Sequence, residues 1–306
     1  MTNYGTDANV VNPSYVDLND FTVKSPTTLY SHYQIENCRK VPSKSDYFVR
    51  SGSTISIKEE YRETLQGKIT IPSTLENVVL DTLGNFSYMV NVTHIFFEES
   101  NLTFTNITGS AFTHNDALVY VELPASITKI GSSAFSYCGS LEQCDLPERL
   151  KEIGTSAFAN NPKLAISRLP SQLEIIDMGA FQNDSKIAIT EIPKSVQIIG
   201  YNAFNRCSNI GITKFGGSDC ALVEIAEGAF VNAGNNINIV QIGSSVEIIG
   251  PNAFQNYGIN NGSLTVLTFA KEPTLYYTST DRNMTHESPT TMGFKEGIFG
   301  EKSVGI

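Results

Sequence analysis

The chain has 306 residues, enough for one large domain or two of ordinary size. Its hydrophobic content of 41% suits a packed core, and Lys+Arg 21 against Asp+Glu 31 leave a formal net charge of −10. That balance excludes binders of nucleic acid and anionic membranes, which need clustered Lys and Arg to displace counterions, and leaves a solvated acidic surface.

Residues 1–66 carry no repeat and are polar, with prolines and several tyrosines. The opening MTNYGTDANVVNPSYVDLND has neither the basic nor the apolar stretch of a signal peptide. No run reaches the ~18 apolar residues of a membrane-spanning helix. Ser53-Thr54-Ile55-Ser56-Ile57 alternates like a strand and is expected to begin a cap over the first open coil of whatever follows. The expected organisation is an extended arm and cap over 1–66, a repeat domain over 67–270, and a C-terminal tail over 271–306.

The repeat is found by spacing. Ala-Phe pairs end at Phe112, Phe135, Phe158, Phe181, Phe204, Phe230 and Phe254, with four intervals of 23 residues followed by 26 and 24. A fixed period of this size is the mark of a solenoid, whose units bury their apolar groups by stacking. Each unit reads Leu-Pro-x-x-Leu-x-x-Ile-Gly-x-x-Ala-Phe, as in Leu123-Pro124 to Phe135, Leu146-Pro147 to Phe158, Leu169-Pro170 to Phe181 and Ile192-Pro193 to Phe204. Eight turns are expected, the first starting at Ile71-Pro72 with Leu83 in place of Phe, and a closing strand ending at Phe269. Gly131, Gly154, Gly200 and Gly250 follow the inward Ile, which suggests a tight turn with positive φ. Three residues after Phe comes a polar column, Asn115, Cys138, Asn161, Asp184 and Cys207, suited to bonding free backbone groups of the turn. Cys138 and Cys207 are then about three strand spacings (~14 Å) apart, too far for a disulfide. With Cys38, Cys144 and Cys220 they make an odd count without a CxxC pair, so neither a disulfide framework nor a zinc site is expected.

The repeat unit resembles the BspA-type leucine-rich repeat. The resemblance covers about residues 67–270 and implies a β-rich leucine-rich-repeat solenoid, right-handed, with a parallel sheet on its concave face and little α-helix. It also implies adhesion or recognition, because such repeats are known from bacterial and protist surfaces and from some phages. The function expected is a non-enzymatic module for protein–protein binding or assembly. Its first setting is the virion, as a structural or attachment component of a phage particle, and the alternative is a BspA-type adhesin on a cell surface. Other proteins, a second copy of this chain included, are the expected partners; nucleic acid and membrane insertion are not.

No residue set points to chemistry. His32, His94, His114 and His286 have no metal-ligand spacing, and His114 reads as a solvated turn residue. Glu59-Glu60 and Glu98-Glu99 are sequence neighbours, so in extended chain they face opposite ways. No catalytic residue, metal or cofactor is expected.

In a parallel solenoid, outward strand positions form columns about 4.8 Å apart. One column reads Glu122, Asp145, Arg168, Glu191, Lys214, Gln241, Thr268. Its neighbour reads Tyr120, Gln143, Ile166, Ile189, Ile212, Ile239, Val266, followed at the next position by Val121, Cys144, Ser167, Thr190, Thr213, Val240 and Leu267. Two readings compete. Either the isoleucines form an exposed apolar stripe, or a bulge shifts the strand phase and turns them inward. The candidate partner-binding face is therefore Ile166, Arg168, Ile189, Glu191, Ile212, Lys214, Ile239 and Gln241.

Overall fold

A computed structural model describes residues 45–98, 103–234, 239–257, 266–269 and 275–276, the backbone alone for Ile239 and the last two stretches. The arm to residue 44, most of the tail 271–306, Cys38, His32, His286 and the Ile239, Val266, Leu267 and Thr268 side chains lie outside that description.

The repeat coils into a β-solenoid whose strands pair in parallel from one coil to the next. One sheet has eight two-residue strands, Asn106–Ile107, Lys129–Ile130, Glu152–Ile153, Ile175–Ile176, Ile198–Ile199, Glu224–Ile225, Ile248–Ile249 and Leu275–Tyr276. In the first seven of these coils the second residue of each pair is buried: Ile107, Ile130, Ile153, Ile176, Ile199, Ile225 and Ile249. A second sheet is split in two. Gln66–Ile71, Asn91–Phe97, Tyr120–Glu122 and Gln143–Asp145 form one part; Lys214–Phe215, Ile239–Ile242 and Val266–Phe269 form the other. The hairpin Phe48–Ser51/Thr54–Ile57 precedes the coils, pairs with Thr82–Leu83, and buries Phe48, Ile55 and Ile57. Its strand is the one that the alternation at 53–57 suggests. Among the described residues there is no α-helix, only the 3₁₀ turns Ser45–Tyr47 and Glu59–Tyr61.

Turns between the sheets follow from the motif. The Pro carbonyl accepts the amide three residues on, as in Ile127 N to Pro124 O at 3.1 Å and Leu173 N to Pro170 O at 3.1 Å, closing the corner that leads from the split-sheet side of the coil to the eight-stranded sheet. At the wide end, Phe86, Phe112, Phe135, Phe158, Phe181, Phe204, Phe230 and Phe254 form one continuous stack with centroids 5.1–5.6 Å apart. Phe86, not Leu83, therefore belongs to the first Phe rung. Leu83 lies on the isoleucine column instead, where its carbonyl accepts Thr108 Oγ1 at 2.6 Å.

The glycine reading needs correcting. From Phe112 on, positive φ falls two residues before and two after each Phe of the stack, as at Ser133, Ser156, Gly179 and Asn202 on one side and Tyr137, Asn160, Asn183 and Arg206 on the other. Gly131, Gly154, Gly200 and Gly250 are not among the positive-φ glycines. They are small because the coils touch there: a Cβ on Gly200 would lie 2.7 Å from both Asp177 C and Met178 N, all backbone atoms. Gly200→Ala is accordingly expected to destabilise the fold by about 1–3 kcal/mol through overpacking. Denaturant unfolding of the variant checks this, and an unchanged midpoint would refute the close-approach account.

Candidate functional site

In the coil that ends the first part of the split sheet, Glu142 and Gln143 face out together, Cys144 is buried and Asp145 is exposed. One coil later the order changes. Ile166 is buried at 4% exposure, and Ser167 and Arg168 face out together. The next two coils repeat it: Ile189 and Ile212 are fully buried, while Thr190-Glu191 and Thr213-Lys214 are exposed.

Each of these four coils thus keeps one pair of consecutive outward residues, a bulge, and what changes is whether it precedes or follows the inward side chain. The driving force is side-chain competition. Burying an isoleucine gains about 1.5–3 kcal/mol, whereas burying an unpartnered hydroxyl costs about 1–3 kcal/mol, so Ile displaces Ser or Thr from the core. The exposed apolar stripe does not exist at Ile166, Ile189 or Ile212, and these three leave the candidate face. Val240 is buried at 1%, so the next coil returns to the earlier phase.

The shift also interrupts the sheet. Coils 166–168 and 189–191 have no strand pairing. They are tied instead by single bonds: Ala165 N to Glu142 O at 3.0 Å, Ala188 N to Ile166 O at 2.8 Å and Gly211 N to Ile189 O at 2.9 Å. Beyond the gap, Lys214 pairs with Gln241 and Gln241 with Thr268, which restores the register. Of the candidate residues, Arg168, Glu191, Lys214 and Gln241 are exposed on successive coils. Ser167, Thr190 and Thr213 stand beside the first three as a second polar column. Arg168 pairs with Glu148 at 2.5 Å across the coils, and this contact, with the Ser171 amide, holds the Glu148 carboxyl below the usual range.

The interior offers little reactive chemistry. Burial pushes the Cys138 thiol up to about 12, and raises Cys144 and Cys207 too, so all three are inert thiols. Burial, and then the nearby Lys68 charge, hold His94 below its usual value. His114 is half-buried, with its ring stacked between Tyr88 at 5.0 Å and Tyr137 at 4.8 Å rather than freely solvated. Sequence reasoning missed this triplet, although the three residues share one place after Phe. Among the described residues no group of three His, Cys, Asp or Glu side chains could hold a metal. No helix among them is long and apolar enough to cross a membrane.

A BspA type leucine-rich repeat region, in six copies, matches residues 54–188 and 174–283. The chain belongs to this family. No curated protein matches it. Similar solved structures include the leucine-rich repeat protein TpLRR of T. pallidum, 21% identical, covering 74% of this chain and 92% of that one, with a TM-score of 0.48. A leucine-rich repeat protein of Bacteroides ovatus is 20% identical over 66% of this chain and 60% of its own, at a TM-score of 0.42. The pneumococcal vaccine antigen PcpA is 16% identical over 75% and 83%, at 0.29. As a BspA-type repeat, the chain has a fold suited to binding other proteins.

Proposed function

We propose that this chain is a non-enzymatic protein-binding module that recognises its partner through the polar face of Ser167, Arg168, Thr190, Glu191, Thr213, Lys214 and Gln241. The observation that supports it is the two exposed columns at the break in the sheet. There, three successive coils present their outward pair on the same side of a buried isoleucine, and the charges alternate along the column from Arg168 to Glu191 to Lys214. A partner with the opposite alternation gains specificity and association rate from such a pattern more than raw affinity. Family membership supports an exposed setting for this face, as on a cell-surface adhesin. The phage-particle reading uses the same face and differs in what covers it: a neighbouring particle protein instead of a host surface. Immunolabelling of intact cells against purified particles separates the two.

The face is tested by Arg168→Glu combined with Lys214→Glu, with Lys151→Glu on the other sheet as control. Binding to intact cells or particles is expected to weaken at least about tenfold, or about 1.4 kcal/mol, in the double variant and to hold in the control. Equal binding by all three proteins would remove this face from the function.

A further inference from the structure

The buried column after Phe is a two-way ladder. Each Asn or Asp rung accepts the amide of the rung before it: Met89 N donates to Asn115 Oδ1 at 2.7 Å, Cys138 N to Asn161 Oδ1 at 2.8 Å and Asn161 N to Asp184 Oδ1 at 2.6 Å. The backbones of Asn115 and Asp184 likewise approach the Cys138 and Cys207 sulfurs, and the Asp184 amide also donates to Phe181 O at 3.2 Å. Each rung also donates to a Phe carbonyl one coil back. Asn115 Nδ2 donates to Phe86 O at 3.0 Å, Cys138 Sγ to Phe112 O at 3.2 Å, Asn161 Nδ2 to Phe135 O at 2.9 Å and Cys207 Sγ to Phe181 O at 2.9 Å. By this register the carbonyl that falls to Asp184 is that of Phe158, which accepts Asn161 Nδ2 at 2.5 Å and has a second lone pair for another donor. Asparagine and cysteine can both accept and donate, but an ionised carboxylate only accepts. Asp184 is fully buried, and its Oδ2 is a buried polar atom without a hydrogen-bond partner.

We propose that Asp184 sits in the fold as the neutral carboxylic acid, its Oδ2 hydroxyl donating to the Phe158 carbonyl, which makes the repeat pH-sensitive at this coil. The neutral acid completes the ladder, whereas the carboxylate would set a charge against a carbonyl oxygen in the core. The groups facing it from the coils on either side are uncharged, Asn161 before and the Cys207 thiol after, and neither supplies a counter-charge. Lys186 on its own coil and Arg206 on the next are exposed. Burial accordingly raises the acid well above the ordinary carboxylate range.

A carboxyl raised in the folded state stabilises the fold fully below its unfolded value of about 3.9, and that stability is lost as pH rises through the folded value. The rung belongs to the coil that carries Glu191, so loosening there reaches the candidate face.

Asp184→Asn supplies the missing donor without a titrating group. The unfolding equilibria of wild type and D184N are expected to agree near pH 4. Above that, wild type loses ground about tenfold per pH unit until the folded-state acid ionises. Parallel pH profiles for the two proteins would overturn the proposal. The infrared spectrum of folded wild type at pH 7 gives a second reading that needs no variant to fold. A protonated-carboxyl band supports the neutral acid, and its absence overturns it.

Discussion

Phe158→Ala is expected to destabilise the solenoid by about 3–5 kcal/mol. The ring is fully buried and lies between Phe135 at 5.3 Å and Phe181 at 5.5 Å, within 8° and 3° of parallel. Truncation removes apolar area and both ring contacts, and the gap cannot close easily because each neighbouring ring is itself held by the next. The position makes the loss more than local. In a stack where each unit touches only its neighbours, stability is a sum of unit terms and interface terms. A hole at 158 weakens the two interfaces that join the coils before it to those after it. Denaturant unfolding followed by far-ultraviolet dichroism is expected to show an earlier, broader transition, whereas Phe158→Leu loses less because it keeps part of the volume. A cost under about 1 kcal/mol for the alanine variant would mean that the ring stack does not carry the coupling.

That stack was legible in the sequence because it is periodic and one residue type fills it. Seven of its eight members fall on Ala-Phe pairs, and the eighth, Phe86, follows Asn, so it escaped the pattern and Leu83 took its place. The isoleucine column and the polar column were legible for the same reason. What was not legible depends on neighbours distant in sequence. The glycines after the inward Ile looked like turn residues, yet the left-handed positions are filled mostly by Ser, Asn, Tyr, His and Arg, with Gly179 and Gly228 at two of them, and Gly131, Gly154, Gly200 and Gly250 serve coil-to-coil approach that no local pattern encodes. On the candidate face, strict alternation assumes an unbroken strand. The bulge moves because Ile166, Ile189 and Ile212 outcompete the hydroxyls beside them, and the sequence left both outcomes open until burial was seen. Arg168, Glu191, Lys214 and Gln241 were correctly placed outward on either phase, because the bulge shifts the residues before them and not these four.

The polar ladder yields the second large effect. Asn161→Leu keeps the approximate volume of the side chain and removes its polar atoms, so Cys138 N–H and Phe135 C=O both lose their partner in the core. The Phe158 carbonyl, which also accepts Asn161 Nδ2 at 2.5 Å, loses a donor too. A buried group left without a partner costs about 1–3 kcal/mol, so the expected loss is about 2–5 kcal/mol. This far exceeds the roughly 1.5 kcal/mol upper end for a volume-conserving apolar swap. Asn161→Cys is the informative companion. A thiol already fills the same rung at Cys138 and Cys207, approached by the backbone of the rung before and donating to a Phe carbonyl one coil back, so it is expected to restore most of what Leu removes. The denaturation midpoints of the two variants decide between the accounts. If Leu and Cys unfold together, the column works by packing alone and its hydrogen bonds do not set the coil geometry; if Cys stays close to wild type while Leu falls, the ladder holds each coil to the one before it.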